Sequence, residues 1–236
     1  MNFPTFSDHI LVETDEIIAW NKPSGLSSTG RSLDDPDCAQ YLAIDYVGEM
    51  IWALHQLDRD SSGVLLFTRK KKLVSYWQRR WHSPSIRKFY AAVVHGRLPE
   101  QSMTINAPLS RKSSAPFIEV FVDPQGKEAQ TAIREISTSP NENYSLVLAE
   151  LLTGRTHQIR VHLQHIGCPL VGEARYNSIP CGHHHRHALH ALAILTDEEA
   201  PLNHIQAPMA ADLIALCDKL QIPTSPLNNW SQDQVV

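Results

Sequence analysis

The run His55-Gln56-Leu57-Asp58-Arg59-Asp60-Ser61-Ser62-Gly63 puts two carboxylates and a guanidinium into one short polar stretch that passes directly into the apolar run 64–67. Four consecutive apolar residues are too few for a typical helix and predict a buried strand. Gly63 at the junction supplies a bend or a close backbone approach. Asp58 therefore sits on a loop at the mouth of a rigid element, a common position for catalytic groups. An ionised carboxylate there is suited to nucleophilic or ion-pair chemistry. A nearby guanidinium would favour the charged form and fix its direction. On its own the stretch also fits solvated acids in a turn.

The other candidate chemistry is weaker. Gly25-Leu-Ser-Ser-Thr-Gly30-Arg31-Ser32 nearly spells a phosphate-binding loop. Arg31 replaces the lysine, however, and Asp34, Asp35 and Asp37 crowd the position of the phosphates. Pro36 after Asp35 predicts instead a helix capped by Asp35. Cys181-Gly-His183-His184-His185-Arg186-His187 invites a zinc reading, but a loop tract offers no convergent third or fourth ligand with a supporting shell, so no metal is expected. No nucleotide cofactor is expected either.

The elements that must position these residues follow from local patterning. Residues 10–12 and 17–20 read as short strands around the acidic turn 13–16, and 86–96 as a strand closed by Gly96. Residues 71–82 read as a helix with Leu73, Tyr76, Trp77, Arg80 and Trp81 at helical spacing; core packing explains its tryptophans more simply than base stacking. Segments 117–122, 129–136 and 144–152 read as successive strands joined by turns at 123–126 and 139–143, which implies antiparallel pairing. Thr156 predicts the cap of a helix burying Ile159, Leu163 and Ile166 and ending at Gly167. A closing helix is expected at about 206–221 and a flexible tail at 227–236. The fold class is α+β, a mixed and mostly antiparallel central sheet flanked by helices, in a single catalytic domain over 1–236 with its core at about 10–195.

Composition sets outer bounds. A hydrophobic fraction of 42% and a charged fraction of 19% fit an ordinary globular protein. No apolar run approaches the ~20 residues of a membrane span, and the first residues lack a signal-peptide pattern, so no membrane and a cytoplasmic location are expected. Cys38, Cys168, Cys181 and Cys217 form no CxxC pair or framework, which fits a reducing compartment. The net charge of −4 conceals an asymmetry: residues 1–50 hold nine acids against Lys22 and Arg31, while residues 69–112 hold eleven bases against Glu100. A basic block beside the Asp58 loop suits a phosphate backbone, although a solvated helix face carries charge in the same way.

Several segments together resemble the RluA family of RNA pseudouridine synthases. The 55–66 run is similar to its H-R-L-D-x-x-T/S-S-G-L-L-L signature, with Gln56 in place of the second-position Arg. Asn21-Lys22-Pro23-Ser24-Gly25-Leu26 is similar to N-K-P-x-G-L, and Lys88, Tyr90, Ala92, Val94 and Gly96 to K-x-Y-x-A-x-V-x-G. Gly126-Lys-Glu-Ala-Gln-Thr131 is similar to G-K-x-A-x-T. Leu152-Thr-Gly-Arg155-Thr-His157-Gln158-Ile-Arg160-Val-His-Leu163 and its continuation to Tyr176 complete the set, with Glu173 where the family usually has Asp. The resemblance covers roughly residues 10–195 and implies a pseudouridine synthase fold.

It also implies the reaction: the C1′–N1 bond of a uridine in structured RNA breaks, the uracil rotates, and C5 joins C1′, without a cofactor. The implied catalytic residues are Asp58, Tyr90 against the base, and Arg160 paired with the carboxylate. Candidate RNA contacts are Lys22, Gln56, Arg59, Arg69, Lys70, Lys88, Arg155, His157 and Gln158. The implied partner is tRNA or rRNA, bound by a monomer, with the target base flipped or already unpaired. A catalytically weakened RNA-binding module of the same fold is the alternative that Gln56 leaves open.

Overall fold

The computed structural model describes residues 5–30, 32, 35–114, 117–177, 184–199 and 201–228. They divide into two compact units, Met1–Lys88 with His190–Ala210 and Phe89–Leu189 with Ala211–Val236. In chain order the first unit holds β1 (Ile10–Glu13), β2 (Ile17–Lys22), α1 (Ala39–Val47), β3 (Trp52–Ala53), β4 (Ser62–Thr68) and α2 (Lys71–Arg80). Strand β5 (Ile86–His95) carries the chain into the second unit. That unit adds β6 (Ser102–Asn106), β7 (Leu109–Ser114), β8 (Phe117–Val122), β9 (Gln130–Thr138), β10 (Tyr144–Leu151) and α3 (Gln158–His165). The chain returns to the first unit with β11 (Leu189–Thr196) and β12 (His204–Gln206), then ends in the second with α4 (Ala211–Leu220) and α5 (Ser225–Asn228).

The 64–67 run is the strand its length predicts. All seven residues of β4 are buried, because it has β2 antiparallel on one side and β11 parallel on the other. The parallel register sets His190 opposite Ser62 and Ala191 opposite Gly63. A Cβ on Gly63 would lie 2.1 Å from the Ala191 carbonyl oxygen. The glycine is there for close approach as well as for its φ of +108°. Apolar side chains of β2 and β4 form one core with Ile194, Ile205, Ala207 and Trp77, against which Leu73, Val74 and Trp81 pack. The tryptophans of α2 are thus packing residues.

In the second unit β10 pairs antiparallel with both β5 and β9, and β9 with β6. Ile159, Leu163 and Ile166 of the α3 segment close over this sheet with Ala92, Val94, Ile133 and Val147, the face their spacing predicts. Strands β7 and β8 make a separate antiparallel hairpin. The mixed, mostly antiparallel α+β architecture is the one expected.

Four boundaries differ from expectation. The tail expected from 227 does not begin there, since Ser225–Asn228 form α5 and Leu227 is buried. Helix α1 starts at Ala39 and is capped by Cys38, whose Sγ accepts from the Tyr41 N–H at 3.3 Å. The first helical N–H groups, of Ala39 and Gln40, donate to the carbonyls of Ser27 and Ser28. Asp35 instead accepts from the Asp37 N–H in a local turn. Gln206 ends strand β12, opposite Ala193, and Pro208 delays the closing helix to Ala211. Helix α3 begins after His157, which adopts a left-handed φ of 53°. Arg31 and Asp34 of the near-phosphate loop, Cys181 and His183 of the histidine tract, and tail residues 229–236 lie outside the described residues.

Two glycines should separate crowding from backbone preference. Gly63→Ala is expected to cost about 3 kcal/mol or more, because packed backbone must move. Gly25 has φ +84°, and a Cβ added there would meet no atom within 4 Å. As alanine it should cost only about 1–2 kcal/mol. Urea unfolding of the two variants measures the difference.

Candidate active site

Asp58 is half-buried, and both of its chain neighbours are pinned by residues 22–28. On one side Ser28 Oγ accepts from the Leu57 N–H at 2.8 Å and donates to the Leu57 carbonyl at 2.9 Å. On the other, the Arg59 carbonyl accepts from the Gly25 N–H at 2.9 Å and from Lys22 Nζ at 3.0 Å. Arg59 Nε donates back to the Gly25 carbonyl at 2.9 Å. The Ser61 N–H donates to the Asp58 carbonyl at 3.1 Å and closes the turn. The backbone at position 58 is therefore fixed from either side, which is what orienting a reactive carboxylate requires.

Lys22 holds this arrangement together and is not a phosphate ligand. Its side chain is 0% exposed, and Nζ donates to the carbonyls of Pro23 and Leu26, both at 2.8 Å, as well as to Arg59. An ammonium has three hydrogens, and three carbonyls accept them. Gly25 likewise spends both backbone groups on Arg59, so the near-phosphate loop is a clamp.

His55 lies flat on Trp81, with ring centroids 4.2 Å apart and planes 17° off parallel. Its Nε2 accepts from the Leu66 N–H at 3.1 Å, so the neutral ring carries its proton on Nδ1. Burial, helped by the Lys88 cation, pushes its pKa down to about 3. This histidine ties the Asp58 loop to β4 and stays uncharged at neutral pH. Lys88 is itself buried, donating to the Trp81 carbonyl at 2.6 Å and lying 5.6 Å from the Trp81 ring centre. It too is a structural cation.

The basic block is less open than its sequence implies. Arg69 pairs with Glu13, and Lys70 with Glu16 at 2.6 Å. Arg80 pairs with Asp197 and Glu198, and Arg97 with Glu135 and Glu142. The acidic first fifty residues thus neutralise the start of the block within the first unit. Lys71, Lys72, Arg79, Arg111 and Lys112 remain solvent-exposed. Gln56 is also exposed, with Nε2 3.3 Å from Thr29 Oγ1.

The second unit carries Tyr90, Arg155, His157, Gln158 and Arg160. Half-buried Tyr90 lies on β5 opposite Ala149 and packs on the sheet core. Arg160, 7% exposed, forks onto Glu173 through Nε at 2.7 Å and Nη2 at 2.8 Å, and lies 5.2 Å from the Tyr176 ring centre. Burial pushes the Glu173 carboxyl up, but the Arg160 hydrogen bond and charge outweigh it and leave the group below the usual carboxylate range. Glutamate here meets the guanidinium bidentately, so the departure from Asp keeps a well-oriented arginine. The sequence offers Glu173 only as a motif position; its role as the holder of Arg160 is visible in the fold.

Gln158 is 2% exposed and organises the turn before α3. Its Oε1 accepts from Thr153 Oγ1 and the Arg155 N–H, and Nε2 donates to the Gln130 carbonyl and Thr131 Oγ1, all at 2.9 Å. It has no donor to spare for RNA. His157 Nδ1 meets the Tyr176 hydroxyl at 2.5 Å. Exposed Arg155 donates through Nε to the Glu128 carbonyl at 2.9 Å. It lines a groove of about 610 Å³ with Arg111, Lys127, Ser110 and Gly154. Lys127, the lysine of the G-K-x-A-x-T segment, and Arg111 of the basic block add cations that are not among the candidate RNA contacts.

Lys22→Met removes the Lys22 donor from the buried Leu26 carbonyl and the part-buried Pro23 carbonyl and leaves the Arg59 carbonyl with the Gly25 N–H, at about 1–3 kcal/mol for each buried group left unsatisfied. It should lower the urea midpoint strongly, and more than Arg59→Ala, which keeps the Arg59 carbonyl and loses only an exposed side-chain bond. His55, neutral in the fold with its pKa near 3 and titrating near 6.5 when unfolded, binds fewer protons folded than unfolded between these values. Its stabilisation is complete above pH 6.5 and is lost as pH falls towards 3. His55→Leu should flatten the stability–pH profile below 6.5 by up to about 1.4 kcal/mol per pH unit, read by urea unfolding at successive pH values.

A model of the RNA pseudouridylate synthase family matches residues 16–165. The chain is 33% identical over 220 residues to the RNA pseudouridine synthase YhcT of Bacillus subtilis, covering 88% of this chain and 70% of that one. It is 34% identical over 170 residues to the ribosomal large subunit pseudouridine synthase C of Vibrio vulnificus, covering 72% of this chain and 53% of the relative, so it spans about half of that protein's length. Human RNA pseudouridylate synthase domain containing 4 has the same fold, with a TM-score of 0.75 at 19% identity over 93% of this chain and 95% of its own. With the family model covering well over half its length, and with the motif residues clamping the Asp58 loop and fixing Arg160, this chain belongs to the RNA pseudouridylate synthase family.

Proposed function

We propose that the chain isomerises a specific uridine in structured RNA to pseudouridine, with Asp58 as the catalytic carboxylate. The observation that carries this assignment is the double clamp, which fixes the backbone at 57 and 59 and leaves the half-buried residue between them to act. Ribosomal RNA is favoured over transfer RNA as the substrate, because relatives such as the Vibrio enzyme are named for the large ribosomal subunit. Tyr90 and Arg160 take their roles from the family motifs, and the Glu173 fork supports a fixed guanidinium at 160. Within the second unit the groove bearing Arg111, Lys127 and Arg155 suits a phosphate backbone, read by charge and shape with little sequence information.

Two measurements test this reading. Release of tritium from RNA carrying 5-tritiated uridine should be lost completely in Asp58→Asn and Asp58→Ala while RNA binding persists; release retained in either variant rejects the carboxylate assignment. The pair Arg111→Glu and Lys127→Glu should weaken RNA binding at low salt and reduce the slope of log affinity against log salt by about one per cation removed. The weakened-module reading suggested by exposed Gln56 predicts salt-dependent binding with no tritium released by the unaltered chain.

A further inference from the structure

The histidine tract acquires in the fold a ligand that the sequence does not place beside it. Asp212, in the first turn of α4, has Oδ2 3.3 Å from His184 Nε2 and 3.9 Å from His185 Nε2. The three donor atoms lie within 4.8 Å of one another. Ligands bound tetrahedrally to zinc at about 2.0–2.2 Å stand about 3.3 Å apart. The His184–Asp212 separation already has this value, and the 71%-exposed His185 side chain is free to close the remaining gap.

Two further features distinguish the cluster from a chance meeting of polar groups. The His184 side chain is only 6% exposed, and its buried Nε2 faces the Asp212 carboxylate at 3.3 Å without forming a hydrogen bond of good geometry to any described residue. A buried polar atom in that condition is uncommon and points to a missing ion or ligand. Asp212 is also held in place by a supporting residue. Buried Arg186 donates from Nε to Oδ2 at 2.7 Å and from Nη2 to Oδ1 at 3.0 Å, while its Nη1 reaches the carbonyls of His187 and Leu189. Metal-ligating carboxylates are usually held by a second layer of hydrogen bonds of this kind, which Arg186 supplies here.

We propose that His184, His185 and Asp212 bind one divalent transition-metal ion of the zinc class, with water completing the coordination. The ion fastens the 184–187 segment to the start of α4, both within the second unit. Its role is structural, and the isomerisation needs nothing from it.

The test uses the full chain without a polyhistidine tag, stripped with chelator and titrated with Zn²⁺ alone. Zinc content, affinity by competition with a chromophoric chelator, and thermal midpoint are the readouts. One equivalent should bind saturably and raise the midpoint. His184→Gln and Asp212→Asn should each weaken binding by at least about tenfold and abolish the zinc-dependent rise. His184→Gln leaves the Arg186 pair intact, so it decides the matter if Asp212→Asn fails to fold. Co²⁺ in place of Zn²⁺ should give the visible absorption of a four- or five-coordinate ion in the unaltered chain only. Zinc affinity unchanged in His184→Gln would mean adventitious binding by other histidines and would overturn the proposal. Absence of saturable binding would overturn it too, leaving His184 as a charge partner of Asp212.

Discussion

A buried ammonium is tolerable only when each of its hydrogens finds an acceptor, and much of the first unit follows from meeting that condition at Lys22. The three acceptors come from two separate stretches, Pro23 and Leu26 on its own side and Arg59 across the turn. Satisfying the charge therefore forces the chain around 22–28 against the chain around 57–59. Ser28 and Gly25 complete the seam with backbone-directed bonds. These contacts act on the neighbours of Asp58 through their backbone, so the position of the main chain at residue 58 is fixed by the fold itself.

The second unit uses a parallel device with opposite charge roles. Glu173 collects Arg160 through two side-chain bonds and also accepts from the Arg175 and Tyr176 N–H groups. Its ionisation is secured by the arginine in spite of burial. Charges elsewhere are mainly matched at the surface, where Glu13 and Glu16 meet Arg69 and Lys70. Pairs of that kind contribute about 0–1 kcal/mol each, so they shape the electrostatic surface more than they stabilise the fold.

Much of this was legible beforehand. The strand at 64–67, the helix over 71–80, the inward face of α3 and the antiparallel strands after 117 all follow from local periodicity, which burial in the fold respects. What local pattern could not reveal depends on distant partners. Cys38 rather than Asp35 caps α1 because the Ser27 and Ser28 carbonyls receive the first helical amides. Strand β7, Leu-Ser-Arg-Lys-Ser-Ser, lacks apolar alternation and owes its conformation to β8. Lys22, Lys88 and Gln158 read as RNA contacts by residue type, yet each is buried with its donors engaged. Asp212 is remote in sequence from the histidines it faces, so no reading of the tract alone could find it.

The parallel contact of β11 on β4 bears on how the chain matures. Ala191 backs Gly63, and His190 Nδ1 meets Ser62 Oγ at 2.9 Å, so the strand behind the Asp58 loop gains one of its two walls only from residues near position 190 of 236. Neither compact unit is a single continuous segment: the first joins 190–210 to 1–88, and the second joins 211–236 to 89–189. A ribosome must pass residue 191 before the loop has its backing. A nascent or clipped chain ending near residue 189 would carry the motifs up to Tyr176 and still lack the strand that backs the Asp58 loop.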